Sequence, residues 1–470
     1  MWQLRDYQQK AVDDVRRSFQ AGHRAPLLVL PTGGGKTVIF SSIASNVAAR
    51  QKRALILVHR VELLRQTADK LRETGAQVGL INPNYTPNLR APIQVASVQT
   101  LVRRPNWNIP GFDLIVTDEA HHVVASTYRQ VINRWPGAYN LGVTATPVRS
   151  DGRGLGVNVG GIYDHLIEGP QVHELIARGY LVKPIIYAPK DRLDLTGVHT
   201  VAGDYNKTEL AGVVDKPQIT GNAVQHYRQI CHGAPAVAFC VSVAHAHHVA
   251  AEFQQAGYRA AVADGSMDDD ARRRVLGGLA TGAVQVLCSC DLISEGTDIP
   301  AIVAAILLRP TQSMGLYIQQ VGRALRIMPG KPNAFILDHV GNVLTHGLPD
   351  EPREWTLDGE EIKKRKKDEA EQRIKTAMCE ECFCVHEPAP ECPQCGFVYP
   401  PSEGRGMPDV VDGELAEMTE AHRAAVRRDQ NREVGRARTL AELEAIAETR
   451  GYKKGWARHI FNSRQGKQRY

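Results

Sequence analysis

Residues 30–40 read LPTGGGKTVIF: three glycines, a lysine and a threonine set between the apolar run PLLVL (26–30) and a helix-like pattern. A strand, a glycine turn and a helix N-terminus aim several backbone N–H groups at one point, and this makes an anion site. Thr32 opens the turn; Gly33, Gly34 and Gly35 carry no Cβ to keep the backbone from phosphate oxygens. Lys36 adds a point charge, and the Thr37 hydroxyl suits Mg²⁺. The stretch departs from the usual G-x-x-x-x-G-K-T spacing at one place, where Leu30 stands for the first glycine. A loop that grips a nucleotide's phosphates is the expectation.

The 470 residues exceed the size at which one core stops growing, about 250 to 300, so two main domains with appendages are expected. The N-terminus MWQLRDYQQK is polar, and the longest apolar run, AIVAAILL at 301–308, is far shorter than the ~18 residues of a membrane span. The expected compartment is the cytoplasm, with no membrane partner. The net charge of +6 is unevenly placed: residues 421–470 carry 13 Lys and Arg against 5 Asp and Glu, a net of +8, which leaves −2 for the rest. A basic terminal segment suits a polyanion, although many such runs are only solvated faces.

Outward from the loop, PLLVL, ALILVH, IQVASV, DLIVTD and YNLGVTAT are short apolar runs separated by polar or glycine-containing turns. After DGRGLGVNVGG (151–161) the pattern resumes in AVAFCV, VQVLCSC, AAILLRP and NAFILDH. Strands alternating with amphipathic segments predict parallel sheets covered by helices on both faces. The fold class is therefore α/β with two tandem parallel-sheet domains. The expected boundaries are a first domain over 1–170, a connecting segment over 171–219 and a second domain over 220–346. A charged linker (347–377), a small cysteine-rich module (378–400), a second linker (401–435) and a basic helical tail (436–470) follow. In the tail, Thr439 and Glu442 have capping-box spacing, and Leu440, Leu443 and Ile446 share a helical face.

DLIVTDEAHH (113–122) ends an apolar strand in adjacent carboxylates. Asp118 can hold Mg²⁺ through water while Glu119 orients and deprotonates an attacking water, a pairing that in-line phosphoryl transfer requires. In CEECFCVHEPAPECPQC, two C-x-x-C pairs, Cys379 with Cys382 and Cys392 with Cys395, can set four thiolates around Zn²⁺. Cys384 and His386 are alternatives to Cys382. The module reads as a structural or docking zinc ribbon. Cys231, Cys240, Cys288 and Cys290 lie in strand-like runs and read as small buried thiols.

PTGGGKT, TDEAHH, TATP (144–147) and QQVGRALR (319–326) resemble, in order and spacing, motifs I, II, III and VI of superfamily 2 helicases and translocases. LRDYQQKAV, SVQTL, LLRPTQSMGLYIQQVGRALR and PGKPNAFILDHVGN are similar to the bacterial DNA-repair helicases of the RadD type and their phage-encoded relatives. The resemblance spans roughly residues 2–345. It implies that both domains are RecA-like and that the enzyme is a nucleic-acid-stimulated ATPase using ATP and Mg²⁺. Carried over by position, Arg5 and Gln8 would read adenine. Arg326 and, second, Arg323 would reach the γ-phosphate from the second domain. EGTDIP (295–300) resembles motif V, with Gly296 and Asp298 at the ribose. Thr144 and Thr146 would couple hydrolysis to strand grip, and His122 and Gln319 would bond across the cleft. His59, Arg60, Ser97, Gln99, Thr100 and Thr297 would hold nucleic-acid phosphates. The expected partner is nucleic acid, single-stranded or branched DNA, with a protein partner at the zinc ribbon or tail. A translocase that separates no strands is the alternative, and a non-catalytic scaffold is disfavoured because every expected catalytic side chain is present.

Overall fold

The computed structural model describes residues 3–358 except 60, 123–125, 150–153, 190–192, 202, 216, 266 and 291–301, together with 377–378, 385–386, 390–391, 396–398, 439–449 and 457. In the first lobe, α1 (Asp6–Gln20) precedes β1 (Pro26–Val29), α2 (Lys36–Ala49) and β2 (Ala54–Val58). Next come α3 (Val61–Arg72), β3 (Val78–Ile81), β4 (Ile93–Ser97), α4 (Val98–Val102) and β5 (Leu114–Asp118). The lobe closes with α5 (Ser126–Ile132), β6 (Tyr139–Thr144) and β7 (His165–Glu168). The sheet order is β3-β4-β2-β5-β6-β1-β7, with every pairing parallel. Strands β1, β2 and β4 are buried along their whole length, as continuous apolar runs require when helices cover both faces.

The second lobe contains β8 (Lys183–Tyr187), the short strands β9 (Thr200–Val201) and β10 (Asp204–Tyr205), β11 (Ala236–Phe239), α9 (Val243–Gln255) and β12 (Ala260–Ala263). Helix α6 (Val172–Ala177) precedes β8, and α7 (Lys207–Val214) and α8 (Pro217–His226) lie between β10 and β11. The chain continues through α10 (Asp269–Thr281), β13 (Val286–Ser289), β14 (Ala304–Leu307), α11 (Met314–Ala324), β15 (Asn333–Asp338) and α12 (Asn342–His346). A second parallel sheet forms in the order β12-β13-β11-β14-β15-β8. In the first sheet PTGGGKT, TDEAHH and TATP fall at the C-terminal ends of β1, β5 and β6, where open α/β sheets bind ligands.

Two boundaries differ from the sequence expectation. The segment 171–219 is not a connector: β8 pairs with β15 along five residues, so the second lobe begins near residue 181. Its apolar run, Pro184–Ile185–Ile186, is too brief to announce a strand by periodicity. Nor is the start of 347–377 a linker, because residues 349–358 return to the first lobe. There Gly156 N–H donates to the Leu357 carbonyl at 2.8 Å, while Gln171 and the Arg353 backbone exchange two bonds of 2.8 Å. Trp355 and Leu357, two apart on an extended chain and so facing one side, pack on the first-lobe core.

Residues 359–376, expected as linker, and the five clustered cysteines lie outside the described residues. Two short pairings bracket those cysteines in sequence: β16 (Ala377–Met378) with β17 (Val385–His386), and a bridge between Glu391 and Val398. Near the C-terminus, α13 (Leu440–Thr449) opens on a reciprocal cap, Thr439 N–H to Glu442 at 3.0 Å and Glu442 N–H to the Thr439 hydroxyl at 3.2 Å.

His339, immediately after β15, is buried; burial, then the neighbouring His226 ring, pulls its pKa down to about 3. An unfolded histidine ionises near pH ~6.5. The folded lobe therefore refuses a proton that the unfolded chain accepts, so this contribution to stability is whole above pH ~6.5 and is lost as the pH falls towards 3. For His339→Gln, the decline of Tm between pH ~7 and ~5, followed by circular dichroism, should be shallower than in the wild type. Equal slopes would contradict this.

Candidate active site

Helix α2 starts at Lys36, and Gly35, with φ of +85°, turns the chain into it. A Cβ at Gly35 would strike the Gln8 amide, so the loop and α1 are fitted to each other. Gln8 is spent on that fit: its Oε1 accepts from Arg5 N–H at 3.0 Å and its Nε2 donates to the Gly34 carbonyl at 3.4 Å. The Tyr7 hydroxyl donates to the same carbonyl at 2.9 Å. Gln8 thus braces the phosphate loop from behind rather than lining the cleft. Arg5 does line it, with its guanidinium 4.4 Å from the centre of the Tyr180 ring. Tyr180 was not anticipated. It comes from a loop with no motif of its own, and only the fold brings it beside Arg5.

The cleft, of about 320 Å³, is lined by Thr32, Gly33, Gly35, Lys36, Thr37, Asp118 and Glu119 of the first lobe and by Arg323 and Arg326 of the second. Burial pulls the Lys36 ammonium below its ordinary pKa, Glu119 and Asp118 oppose that shift, and Arg323 and Arg326 add to it. Burial, then the neighbouring Glu119 charge, pushes the Asp118 carboxyl up to about 7, against the pull of Lys36. These are groups held out of water and awaiting counter-charge.

Glu119 has φ of +49°, a left-handed conformation costing about 1–3 kcal/mol for a non-glycine residue. That turn sets its carboxylate under the second lobe, where the Gln319 side-chain amide donates to Oε2 at 3.2 Å. The Nδ1 atom of His121 lies 3.6 Å from the same oxygen and 3.1 Å from the Thr144 hydroxyl. Since that hydroxyl donates to the Thr146 carbonyl at 2.9 Å, it accepts from His121, which fixes the proton on Nδ1. The described cross-cleft bond therefore joins Gln319 to Glu119, and His121 connects Glu119 to Thr144. His122, expected in that role, stacks on His59 with ring centres 4.3 Å apart. The D-E-x-H spacing of residues 118–121 is the signal that singles out His121.

Helix α11 carries the second lobe's share. Gly322 faces the phosphate loop so closely that a Cβ would lie 2.6 Å from Thr32 Cβ. At the C-terminal end of α11, buried Lys331 spends its three N–H groups on backbone carbonyls of Ile302 (2.5 Å), Arg326 (2.8 Å) and Ala324. It meets the negative end of the helix that carries Arg323 and holds the backbone of Arg326, which lies just beyond that helix in a bridge to Leu181.

The anticipated nucleic-acid residues are less uniform. Gln99 is exposed, and His59 lies 3.3 Å from the Tyr128 hydroxyl. Ser97 and Thr100 are buried; the Ser97 hydroxyl caps α4 through Thr100 N–H at 3.2 Å and meets the Thr100 hydroxyl at 2.8 Å. They shape the turn instead of offering free hydroxyls. Thr146 is buried against Gly315 of α11. Arg60, Gly296, Thr297, Asp298, Cys379, Cys382, Cys392 and Cys395 lie outside the described residues.

The donor set fits a nucleoside triphosphate with its metal: a cradle closed to a Cβ, one ammonium, two guanidinium groups from the opposite wall, and two carboxylates of which one is proton-hungry. Thr37 and Asp118 would hold Mg²⁺, which when bound supplies charge neutralisation at the phosphoryl group. Glu119, bonded to Gln319 and beside His121, is placed to take a proton from water. Such a site, divided between two RecA-like lobes, defines a nucleoside triphosphatase whose chemistry needs both lobes together.

The type III restriction enzyme res-subunit family model matches residues 1–149, and the helicase conserved C-terminal domain model matches residues 222–328. A "51.5 kDa protein" of a Lactococcus phage (isolate 7-9) is 32% identical over 378 residues, 79% of this chain and 75% of that one. The "Putative ATP-dependent helicase IRC3" of Saccharomyces cerevisiae is 30% identical over 358 residues, 72% of this chain but only 51% of the yeast protein. Among solved structures, the "ATP-dependent Type ISP restriction-modification enzyme LlaBIII bound to DNA" shares the fold, with a TM-score of 0.53 at 19% identity, over 72% of this chain and 28% of that one. The chain belongs to superfamily 2 of the ATP-dependent helicases and translocases.

If the lobes must touch at Gly322 and Thr32, Gly322→Ala should lower the kcat of ATP hydrolysis by about ten- to a hundred-fold, the scale of a misplacement near 1 Å. Its Tm should be unchanged or raised, because alanine favours a helix. Wild-type turnover in a steady-state assay would contradict the contact.

Proposed function

We propose that this chain is a Mg²⁺-ATP-driven motor of the RadD type that moves along single-stranded or branched DNA in the cytoplasm, in DNA repair or phage DNA metabolism. The observation that carries this reading is the bond from Gln319 to Glu119 beside a cleft walled by Lys36 on one lobe and Arg323 and Arg326 on the other. Residues that position water and stabilise charge arrive together only on closure, so turnover and lobe movement become one event. Arg5 favours adenine, with Tyr180 offering a ring to the base. Gln99 and His59, just beyond the C-terminal ends of β4 and β2, are the nucleic-acid contacts proposed, together with Arg60 and Thr297, which lie outside the described residues. They would read backbone and not sequence. The DNA bound to LlaBIII belongs to that enzyme; it supports DNA here only through the shared architecture.

ATP turnover measured against single-stranded DNA, forked DNA, duplex DNA and RNA tests the reading. Stimulation should be largest with single-stranded or forked DNA, and Lys36→Ala or Glu119→Gln should abolish hydrolysis. Turnover indifferent to every nucleic acid would refute the motor.

The second part of the proposal is a Zn²⁺ ribbon formed by Cys379, Cys382, Cys392 and Cys395, which with the basic tail engages DNA or a protein partner. Support comes from the two short pairings that bracket the C-x-x-C pairs and from Gly396, with φ of +76°, directly after the second pair. Metal analysis of the purified full chain should find one zinc per molecule, lost in the Cys392→Ser/Cys395→Ser variant. Protein without zinc when prepared free of chelators would overturn it.

A further inference from the structure

Beyond Arg326 the chain turns back on itself. Lys331 N–H donates to the Met328 carbonyl at 3.1 Å, and Gly330, with φ of +74°, allows the turn. This brings the Lys331 side chain under the end of α11, where the residue is only 8% exposed. A buried ammonium ordinarily has a carboxylate beside it. Lys331 has none among the described residues: its partners are the carbonyls of Ile302, Ala324 and Arg326. Three donors meet three acceptors from separate pieces of chain. Ile302 stands just after EGTDIP, Ala324 ends α11, and Arg326 is the residue expected at the γ-phosphate.

Arg326 lies outside the helix, so no helical ladder fixes its direction. Its backbone bridges to Leu181, and Val182 N–H donates to the neighbouring Leu325 carbonyl at 2.9 Å. From there its side chain runs over the phosphate loop: a Cβ on Gly33 would lie 3.5 Å from Arg326 Cγ. The bridge and the bond from Lys331 to its carbonyl, at 2.8 Å, are two holds on that backbone. The second hold depends on a proton. An ammonium has three N–H groups; an amine has two, and a lone pair that repels a carbonyl. Loss of the proton must therefore release one of the three carbonyls. Burial, then the neighbouring Arg326 charge, pulls the Lys331 pKa down to about 8. Lys331 also lines an open groove of about 740 Å³ with Leu181, Val182 and Pro329, which gives the proton a way out. Among the described residues Lys183 of β8 is the other charged group lining that groove, and no carboxylate lines it.

We propose that Lys331 is a positioning residue for ATP hydrolysis, its ammonium tying the Arg326 backbone to the end of α11 and to Ile302 so that the guanidinium meets the nucleotide in register. Turnover then falls as that ammonium loses its proton. The inference rests on the reading of Arg326 as the second lobe's contact to the γ-phosphate. A lysine that only supported the lobe would act equally with or without the Arg326 guanidinium. One that acts through Arg326 has nothing left to position once that side chain is gone, so the two effects do not add.

The test is single-turnover ATP hydrolysis by the full chain in saturating single-stranded DNA, for wild type, Lys331→Met, Arg326→Ala and the double variant. Lys331→Met should slow the hydrolytic step by about a hundred-fold, the scale of a misplacement near 1 Å, and move ATP affinity by less than about three-fold. Added to Arg326→Ala it should cost less than about two-fold more. The wild-type rate should fall with rising pH, with a midpoint near 8, and Arg326→Ala should lack that fall. The full loss from Lys331→Met on top of Arg326→Ala, the wild-type rate in Lys331→Met, no fall near pH 8 in the wild type, or the same fall in Arg326→Ala each overturns the inference. The pH comparison needs only wild type and Arg326→Ala, so it stands even where Lys331→Met does not fold. Wild-type hydrolysis in Arg326→Ala overturns the reading of Arg326 itself.

Discussion

Everything in this molecule turns on charge taken out of water at a seam. Lys36 and Asp118 are half-buried in one cleft, and each is driven away from its charged form by loss of water there. Two guanidinium groups face them from the opposite lobe. Such a set is poorly compensated by protein alone, since buried charges need partners of good geometry. A polyanionic ligand with a divalent cation supplies the missing partners, so ligand and closed seam stabilise one another.

The surrounding architecture makes that coupling mechanical. One helix, α11, touches the hydrolytic carboxylate through Gln319, the phosphate loop through Gly322 and the Thr144–Thr146 turn through Gly315. Its C-terminal end is held by Lys331 and its N-terminal end by the Ser313 cap. The segment 349–358, strapped back to the first lobe, tethers the two lobes a second time. A rigid element held at both ends converts a change of a few tenths of an ångström at a phosphate into rotation of a lobe, because packed interfaces shift between discrete states.

Much of this was legible in the sequence, for physical reasons that differ by region. Central parallel strands are buried on both faces, so β1, β2, β4, β5, β6, β11, β13, β14 and β15 show as apolar runs. Edge strands β7, β8 and β12 are only partly buried and leave weaker patterns. Phosphate chemistry tolerates few residue types, which is why Lys36, Thr37, Asp118, Glu119, Arg323 and Arg326 could be named and all line one cleft. Residues whose work depends on neighbours far along the chain could not be read. His121 and His122 are adjacent and chemically equal; the D-E-x-H spacing points to the first, but its tie to the Thr144 hydroxyl is made only by the fold. Ser97 and Thr100 look like free hydroxyls until α4 claims them. Tyr180 and Lys331 belong to no local pattern, and Trp355 and Leu357 sit in a charged stretch that gives no hint of a strap.

The account's central claim is that hydrolysis waits for the second lobe's cation. The most direct measurement is single-turnover ATP hydrolysis by Arg326→Ala in saturating single-stranded DNA, with ATP affinity measured in parallel. The account predicts a loss of about 10³-fold or more in the hydrolytic step, with ATP affinity changed far less. Hydrolysis at the wild-type rate would contradict it.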